Sequence, residues 1–170
     1  MKTVCIVGPA KSGKTLLIER LIPELNRFGL RVATVKHTHH RNVSLDIPGK
    51  DTYRYRQAGA EIIVLASPDG FSILTEEDGT FGLEEVVSAL PEKLDIILVE
   101  GFKQEGFPKI EIVPDDMDPL FVNDPSLLAL VSSNTFPAAK VPCFKPTDIV
   151  GIAELLTWER SKSKGPKFKV

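Results

Sequence analysis

Cysteine is scarce: the 170 residues hold two, Cys5 and Cys143. They are far apart in the chain, so they make no disulfide framework, and neither has metal-site spacing. Cys5 falls inside an apolar run and reads as a small core residue, and a reducing compartment is expected. Long apolar runs are missing too. Nothing approaches the ~18 apolar residues of a membrane span. The opening Met1-Lys2-Thr3 leads into a short run that Gly8 and Pro9 break, unlike a signal peptide. The expectation is a soluble, cytoplasmic protein with no membrane partner. Excess charge is also lacking. A formal net charge of −2 gives a weak overall field, which argues against general nucleic-acid binding. No internal repeat, low-complexity tract or splitting linker is present.

What remains is an ordinary globular composition, 42% apolar and 26% charged. A chain of this length suits one domain and buries ~70% of its unfolded surface without a staple. One domain is expected over residues 1–158, followed by a basic, mobile tail at 159–170. Residues 3–7 read as a buried strand. Leu17, Ile18, Leu21, Leu25 and Phe28 recur at helical spacing over 14–28, Gly29 stops the helix, and Pro23 interrupts it. Residues 31–37 read as a second strand, paired in parallel through a right-handed crossover. Residues 38–49 have no clear period, and 48–60 hold a short polar helix. Strands at 61–67 and 70–76 flank a Pro-Asp-Gly turn at 68–70. A helix over 82–90, strands over 94–101, 109–113 and 127–133, and a helix over 148–158 complete the reading. Alternating strands and helices predict a three-layer α/β fold with a mostly parallel sheet.

The stretch GPAKSGKT follows the first strand. Gly8, Gly13, Lys14 and Thr15 satisfy G-x-x-x-x-G-K-[ST], between a strand and a helix where the pattern has a mechanism. Glycines allow angles that side chains forbid and let phosphates approach. Successive N–H groups then form an anion nest at the positive end of the next helix. The predicted segment runs from Gly8 through Pro9, Ala10, Lys11, Ser12, Gly13, Lys14 and Thr15 to Leu16. Lys14 would reach the β- and γ-phosphates, and the Thr15 hydroxyl would ligate Mg²⁺. Lys11 either adds charge there or faces water. A glycine-rich turn before a helix is the plain alternative.

Such a loop needs a carboxylate at the carboxyl end of a neighbouring strand. DIILVEG offers Asp95 and Glu100 at opposite ends. Ligands in open α/β sheets gather at carboxyl ends, which favours Glu100 as the second metal-site residue, with Gly101 leaving room for the γ-phosphate. An ordinary strand-end charge is the other reading. His37, His39 and His40 share the loop after the second strand. They read as transition-metal ligands, as contacts to a phosphate or other anion, or as solvated residues. Asp46 and Asp51 flank a Pro-Gly turn, where either could join the Mg²⁺ shell or activate water; Asp46 is grouped with Lys14 and Glu100 as a catalytic candidate. Arg54 and Arg56 form a basic cluster suited to a phosphate or anionic cofactor, or simply a solvated helix face.

GPAKSGKT, TVKHTHH, DIPGKDTYRYRQAGA and DIILVEGFK, in that order, resemble the MobB family, molybdopterin-guanine dinucleotide biosynthesis protein B. The resemblance covers residues 2–113 well and the rest loosely. It implies a homodimer of a P-loop NTPase fold in which an extended β-hairpin joins the subunits. It further implies binding of GTP with Mg²⁺ and at most slow hydrolysis. The role would be that of an adapter for the molybdenum cofactor guanylyltransferase, which attaches GMP to molybdopterin. Molybdopterin or its molybdenum form would be a further ligand. By position, Gly8, Gly13, Lys14 and Thr15 carry over as the phosphate loop and Glu100 as the Walker B acid. Asp46, Gly49, Lys50 and Asp51 carry over as a signature loop facing the nucleotide, and His37 joins the nucleotide-binding set. Tyr55 stands between the arginines where the family pattern has histidine. No N-K-x-D motif reads guanine, which leaves the base either near residues 132–134 or near Thr147 and Asp148. A two-stranded ribbon is marginal alone, which favours pairing with a second subunit over an edge hairpin in a monomer. A small-molecule kinase and a metallochaperone GTPase stand as competing functions; the basic loop at 50–56 could serve as a lid for the first, but no later arginine cluster forms one, and only the histidines hint at the second.

Overall fold

The structure is a computed structural model that describes residues 1–38, 48–60, 62–68, 70–75 and 82–161, with residues 71 and 158–161 described by backbone alone. In chain order the elements are β1 (Lys2–Val7), α1 (Lys14–Arg27), β2 (Val32–Lys36), α2 (Asp51–Gln57), β3 (Ile62–Ser67), β4 (Gly70–Thr75), α3 (Leu83–Ser88), β5 (Ile96–Glu100), β6 (Lys109–Ile112), β7 (Leu127–Val131), β8 (Cys143–Phe144) and α4 (Ile149–Ser161). They fall into two compact units. The first is built from Met1–Thr38 and Val86–Val170, the second from His39–Glu85.

The first unit is an α/β layer structure on a six-stranded sheet in the order β2-β5-β1-β6-β7-β8. Every pairing in it is parallel. β1 and β5 are apolar almost throughout, as strands buried on both faces must be. Alternate residues Val4, Ile6, Ile96, Leu98, Ile110 and Ile112 meet Leu17, Leu21 and Leu25 of α1 and Ile152 and Leu156 of α4 in one core. α1 stays helical through Pro23. An internal proline costs about 3 kcal/mol. Burying Leu17, Ile18, Leu21 and Leu25 on the same helix is worth roughly 6–12 kcal/mol at most, so packing wins. On the opposite face Val113, Leu127 and Leu130 pack against Phe121, Phe136 and Val141.

Register sets the working edge. Lys36, Glu100, Ile6 and Ile110 stand level across β2, β5, β1 and β6. The carboxyl ends of these strands therefore open together. Asp95 marks the opposite end of β5, where its carboxylate accepts Arg31 N–H at 2.9 Å and Nε–H at 3.0 Å. β8, only two residues long, is an addition to the strands expected from the sequence.

The second unit holds α2 and the antiparallel β3–β4 hairpin, whose register closes at Ser67 opposite Gly70. Ile63 is buried, whereas Ile62, Val64 and Ile73 are more than half exposed. Val64 and Ile73 are direct cross-strand partners, so they form one apolar stripe with Ile62. Among the described residues no helix is long and apolar enough to cross a membrane.

Candidate functional site

The buried run of β1 ends at Val7, and the chain turns at Gly8 with φ +145°. A Cβ on Gly8 would stand 2.7 Å from the carbonyl oxygen of Ile112 and 2.9 Å from Ser12 Oγ. Only glycine lets the loop lie this close to β6. The loop passes through Lys11 at φ 62°, and Ser12 N–H returns to the Pro9 carbonyl at 3.4 Å. Ser12 Oγ is buried without a hydrogen-bond partner. Gly13, left-handed at φ 94°, caps α1 without a side chain, and no acid occupies the first turn. Most helices close this end with a Ser, Thr, Asp or Asn oxygen. Here the first N–H groups and the positive end of the dipole stay open to an anion.

Lys14, in the first turn, folds back over the loop. Its Nζ donates to the carbonyls of Gly8 at 3.1 Å and Pro9 at 2.5 Å. The next residue faces the neighbouring strand: Thr15 Oγ1 donates to Glu100 Oε2 at 2.8 Å. Glu100 Oε1 lies 3.5 Å from Lys36 Nζ, as their shared register row requires. Behind Glu100, Gly101 takes φ +105° and donates its N–H to the Ile6 carbonyl at 3.2 Å. A Cβ there would press on His37 Cβ at 3.1 Å. His37 N–H donates to the Glu100 carbonyl at 2.9 Å, and its ring lies 4.3 Å from that of Phe102.

One edge of the first unit thus gathers the loop from Gly8 to Leu16 with His37, Glu100 and Gly101. Pro9 and Ala10 form the loop's outer wall, and Leu16 is half exposed on the helix's first turn. Gly49, Lys50 and Asp51 belong to the second unit, where they start α2. Gly49 is left-handed at φ 88°, Lys50 is the extended N-cap, and Asp51 lies 3.6 Å from Arg54. His39, His40 and Asp46 lie outside the described residues. Among the described residues no three His, Cys, Asp or Glu side chains converge as metal ligands. Two of the polar side chains in the stretches expected near a base have partners of their own. Asp148 Oδ1 accepts Gly151 N–H at 3.1 Å at the start of α4, and Asn134 Nδ2 donates to the Asp115 carbonyl at 2.9 Å.

Two features of the edge were not foreseen from the sequence. The first is an open cleft of about 490 Å³ beside the phosphate loop. Residues 9–12 form one wall and residues 114–117 another, with Ser133 and Pro146 completing the rim. The run PDDMD at 114–118, straight after a strand, was the available signal. The second is a pair of buried charges on β6. Lys109, 2% exposed, donates from Nζ to Asp124 Oδ2 at 2.8 Å and to the Glu105 carbonyl at 3.2 Å. Glu111, also 2% exposed, accepts Leu120 N–H at 2.7 Å and Phe121 N–H at 3.0 Å. These two side chains pin the chain on either side of β6. The Lys109 hydrogen bond, aided by Ser126, holds the Asp124 carboxyl down at about 2. Burial pushes the Cys5 thiol up to about 11, with Lys109 opposing and Glu105 adding to the shift.

A family model described as molybdopterin guanine dinucleotide synthesis protein B, MobB, matches residues 3–133. The molybdopterin-guanine dinucleotide biosynthesis adapter protein of Haemophilus influenzae is 40% identical over 130 residues, covering 75% of this chain and 72% of that protein. The adapter protein of Escherichia coli is 42% identical over 107 residues, 61% of each chain. Among solved structures, a molybdopterin-guanine biosynthesis protein B aligns with TM-score 0.75 at 26% identity, over 92% of this chain and 99% of its own. A MobB homologue from Bacillus stearothermophilus aligns with TM-score 0.70 at 25% identity, over 95% and 99%.

Proposed function

We propose that this chain, which belongs to the MobB family, binds GTP with Mg²⁺ at residues 8–15 and serves the guanylyltransferase step of molybdopterin-guanine dinucleotide synthesis as an adapter. One observation carries the nucleotide part: the Thr15 hydroxyl and the Glu100 carboxylate meet at 2.8 Å beside an uncapped helix start. Both are hard oxygen donors. Mg²⁺ typically takes one or two such protein groups and completes its shell with phosphate and water. Thr15 and Glu100 would hold the ion, which supplies positive charge to the phosphate oxygens when bound.

The remaining work falls to the chain's own groups. The open N–H groups of α1 and the loop receive the phosphates. Lys14 exchanges its carbonyl partners at Gly8 and Pro9 for phosphate oxygens, a stronger, charge-assisted contact. Gly8 lets the loop lie close against β6, where a side chain would meet the Ile112 carbonyl. Lys36 places a second cation beside Glu100. In the second unit, the pattern Asp46, Gly49, Lys50 and Asp51 is assigned to nucleotide contact by family pattern. The apolar stripe Ile62, Val64 and Ile73 is assigned to pairing with a second copy, since exposed contiguous apolar surface of this kind marks interfaces.

The test is calorimetric titration of GTP in Mg²⁺, followed by co-elution with the guanylyltransferase. Wild type is expected to bind GTP and the transferase. Lys14→Ala is expected to lose at least about tenfold in GTP affinity, the cost of one charge-assisted contact. Equal affinities in the two proteins would overturn the assignment of the site.

A further inference from the structure

The cleft beside the phosphate loop has no role in the account above. Its first wall is the loop itself, residues 9–12, so a ligand whose phosphates lie on that loop extends into the cleft by continuity. Its volume of about 490 Å³ falls within the range of ~300–1,000 Å³ typical of small-molecule sites. Pro9, Pro114, Pro146 and Met117 give it flat apolar surface. The second wall is built rather than floppy. Asn134 holds the Asp115 carbonyl at 2.9 Å, Met117 N–H donates to the Pro114 carbonyl at 3.1 Å, and the buried Glu111 grips the chain again at Leu120 and Phe121. Lys145 Nζ donates to the Ser133 carbonyl across the rim. Asp115 and Asp116 line this space, and neither carboxylate is engaged by another described residue.

We infer that the cleft takes a fused 2-amino-4-oxopyrimidine ring, read by Asp115 or Asp116. The chemistry is one of matching. An ionised carboxylate accepts two hydrogen bonds side by side and donates none. A 2-amino-4-oxopyrimidine edge presents a ring N–H beside an exocyclic NH₂, two parallel donors. Adenine offers an NH₂ beside a ring lone pair, which faces the carboxylate with like polarity. Flat apolar walls receive the ring faces. This inference rests on the reading that residues 8–15 hold the triphosphate. Guanine and pterins share the ring edge, so the ligand is either the base of the bound nucleotide or a separate pterin.

The experiment titrates wild type, Asp115→Asn, Asp116→Asn and the double variant with GTP, ITP, XTP, ATP, inorganic triphosphate and neopterin, after checking equal thermal melts. Wild type is expected to prefer GTP over ITP, which lacks the 2-amino group, and over ATP by about tenfold or more, the worth of a hydrogen bond to a charged group at an exposed site. One Asn variant should lose that preference, keep its affinity for inorganic triphosphate, and gain affinity for XTP, whose C2 carbonyl matches an amide donor. That pattern identifies guanine as the occupant. Neopterin binding to GTP-saturated protein that disappears in the Asn variants identifies a pterin and equally supports the inference. Base preference and neopterin binding that ignore both substitutions overturn it while leaving the phosphate site standing. Failure of inorganic triphosphate to bind wild type overturns the phosphate-loop reading and this inference with it.

Discussion

Gly8→Ala is the most informative single change. The new Cβ would lie 2.7 Å from the Ile112 carbonyl oxygen and 2.9 Å from Ser12 Oγ. Ile112 is held in its register against Val131 of β7, and its neighbour Glu111 against Val7 of β1, so that carbonyl has no freedom to retreat. The loop must move instead. Overpacking of this kind costs about 1–3 kcal/mol. The backbone adds about 1–3 kcal/mol more, because φ +145° lies in a region essentially reserved for glycine. The sum, roughly 2–6 kcal/mol, is below or near the total stability of a typical domain. The protein is expected to fold with reduced stability and a displaced loop. Urea melts should report the destabilisation, and GTP titration should report an affinity loss of at least about tenfold. Gly13→Ala is the control. It is also left-handed, but a Cβ there meets nothing within 4 Å, so only about 1–2 kcal/mol of backbone strain is expected. If Gly8→Ala matched wild type in stability and GTP affinity, the close approach of loop to β6 would be refuted.

Three further outcomes follow from buried groups and their partners. Glu111→Ala strips the acceptors from Leu120 N–H and Phe121 N–H; about 2–4 kcal/mol should be lost, a Tm fall of roughly 5–15 °C by circular dichroism, and an unchanged melt would contradict the anchoring role. Asp124 is held at about 2 against an ordinary 3.8, chiefly by Lys109. A depressed carboxylate stabilises the fold above its unfolded value and ceases to as pH falls through the folded one. Stability measured by urea melts should therefore drop between pH 4 and about 2 more steeply in wild type than in Asp124→Asn, and parallel profiles would count against the ion pair. Cys5 is buried with its thiol raised to about 11, whereas Cys143 is exposed. Ellman's reagent at pH 8 should find one fast thiol in native protein, lost in Cys143→Ser, and two after unfolding; two fast thiols in native protein would contradict the core position of Cys5.

How much of this was readable from the chain depends on whether the determining contacts are local. β1, α1 and β5 follow from apolar runs and a 3.6-residue period, and the phosphate loop from glycines placed where the backbone must turn left-handed. Glu100 was assigned to the ligand edge by its position at the end of an apolar strand, and the structure puts it in hydrogen-bond contact with Thr15. Asp95 likewise stands at the strand's entrance. β8 was not foreseen because two residues carry no period. Lys109-Ile110-Glu111-Ile112 has the alternation of a strand with one wet face, yet both charged residues are buried. Their partners, Asp124 and the N–H groups of Leu120 and Phe121, reach them only through tertiary folding. For the same reason nothing local placed Asp115 and Asp116 beside the phosphate loop; the sheet order does.

The most direct measurement is a crystal structure with a non-hydrolysable GTP analogue and Mn²⁺ in place of Mg²⁺. The account predicts an anomalous manganese peak at bonding distance from Thr15 Oγ1 with Glu100 in its shell, and the triphosphate lying on the N–H groups of residues 10–15. A bare loop at saturating analogue, or manganese and phosphates bound at another place on the chain, would contradict it.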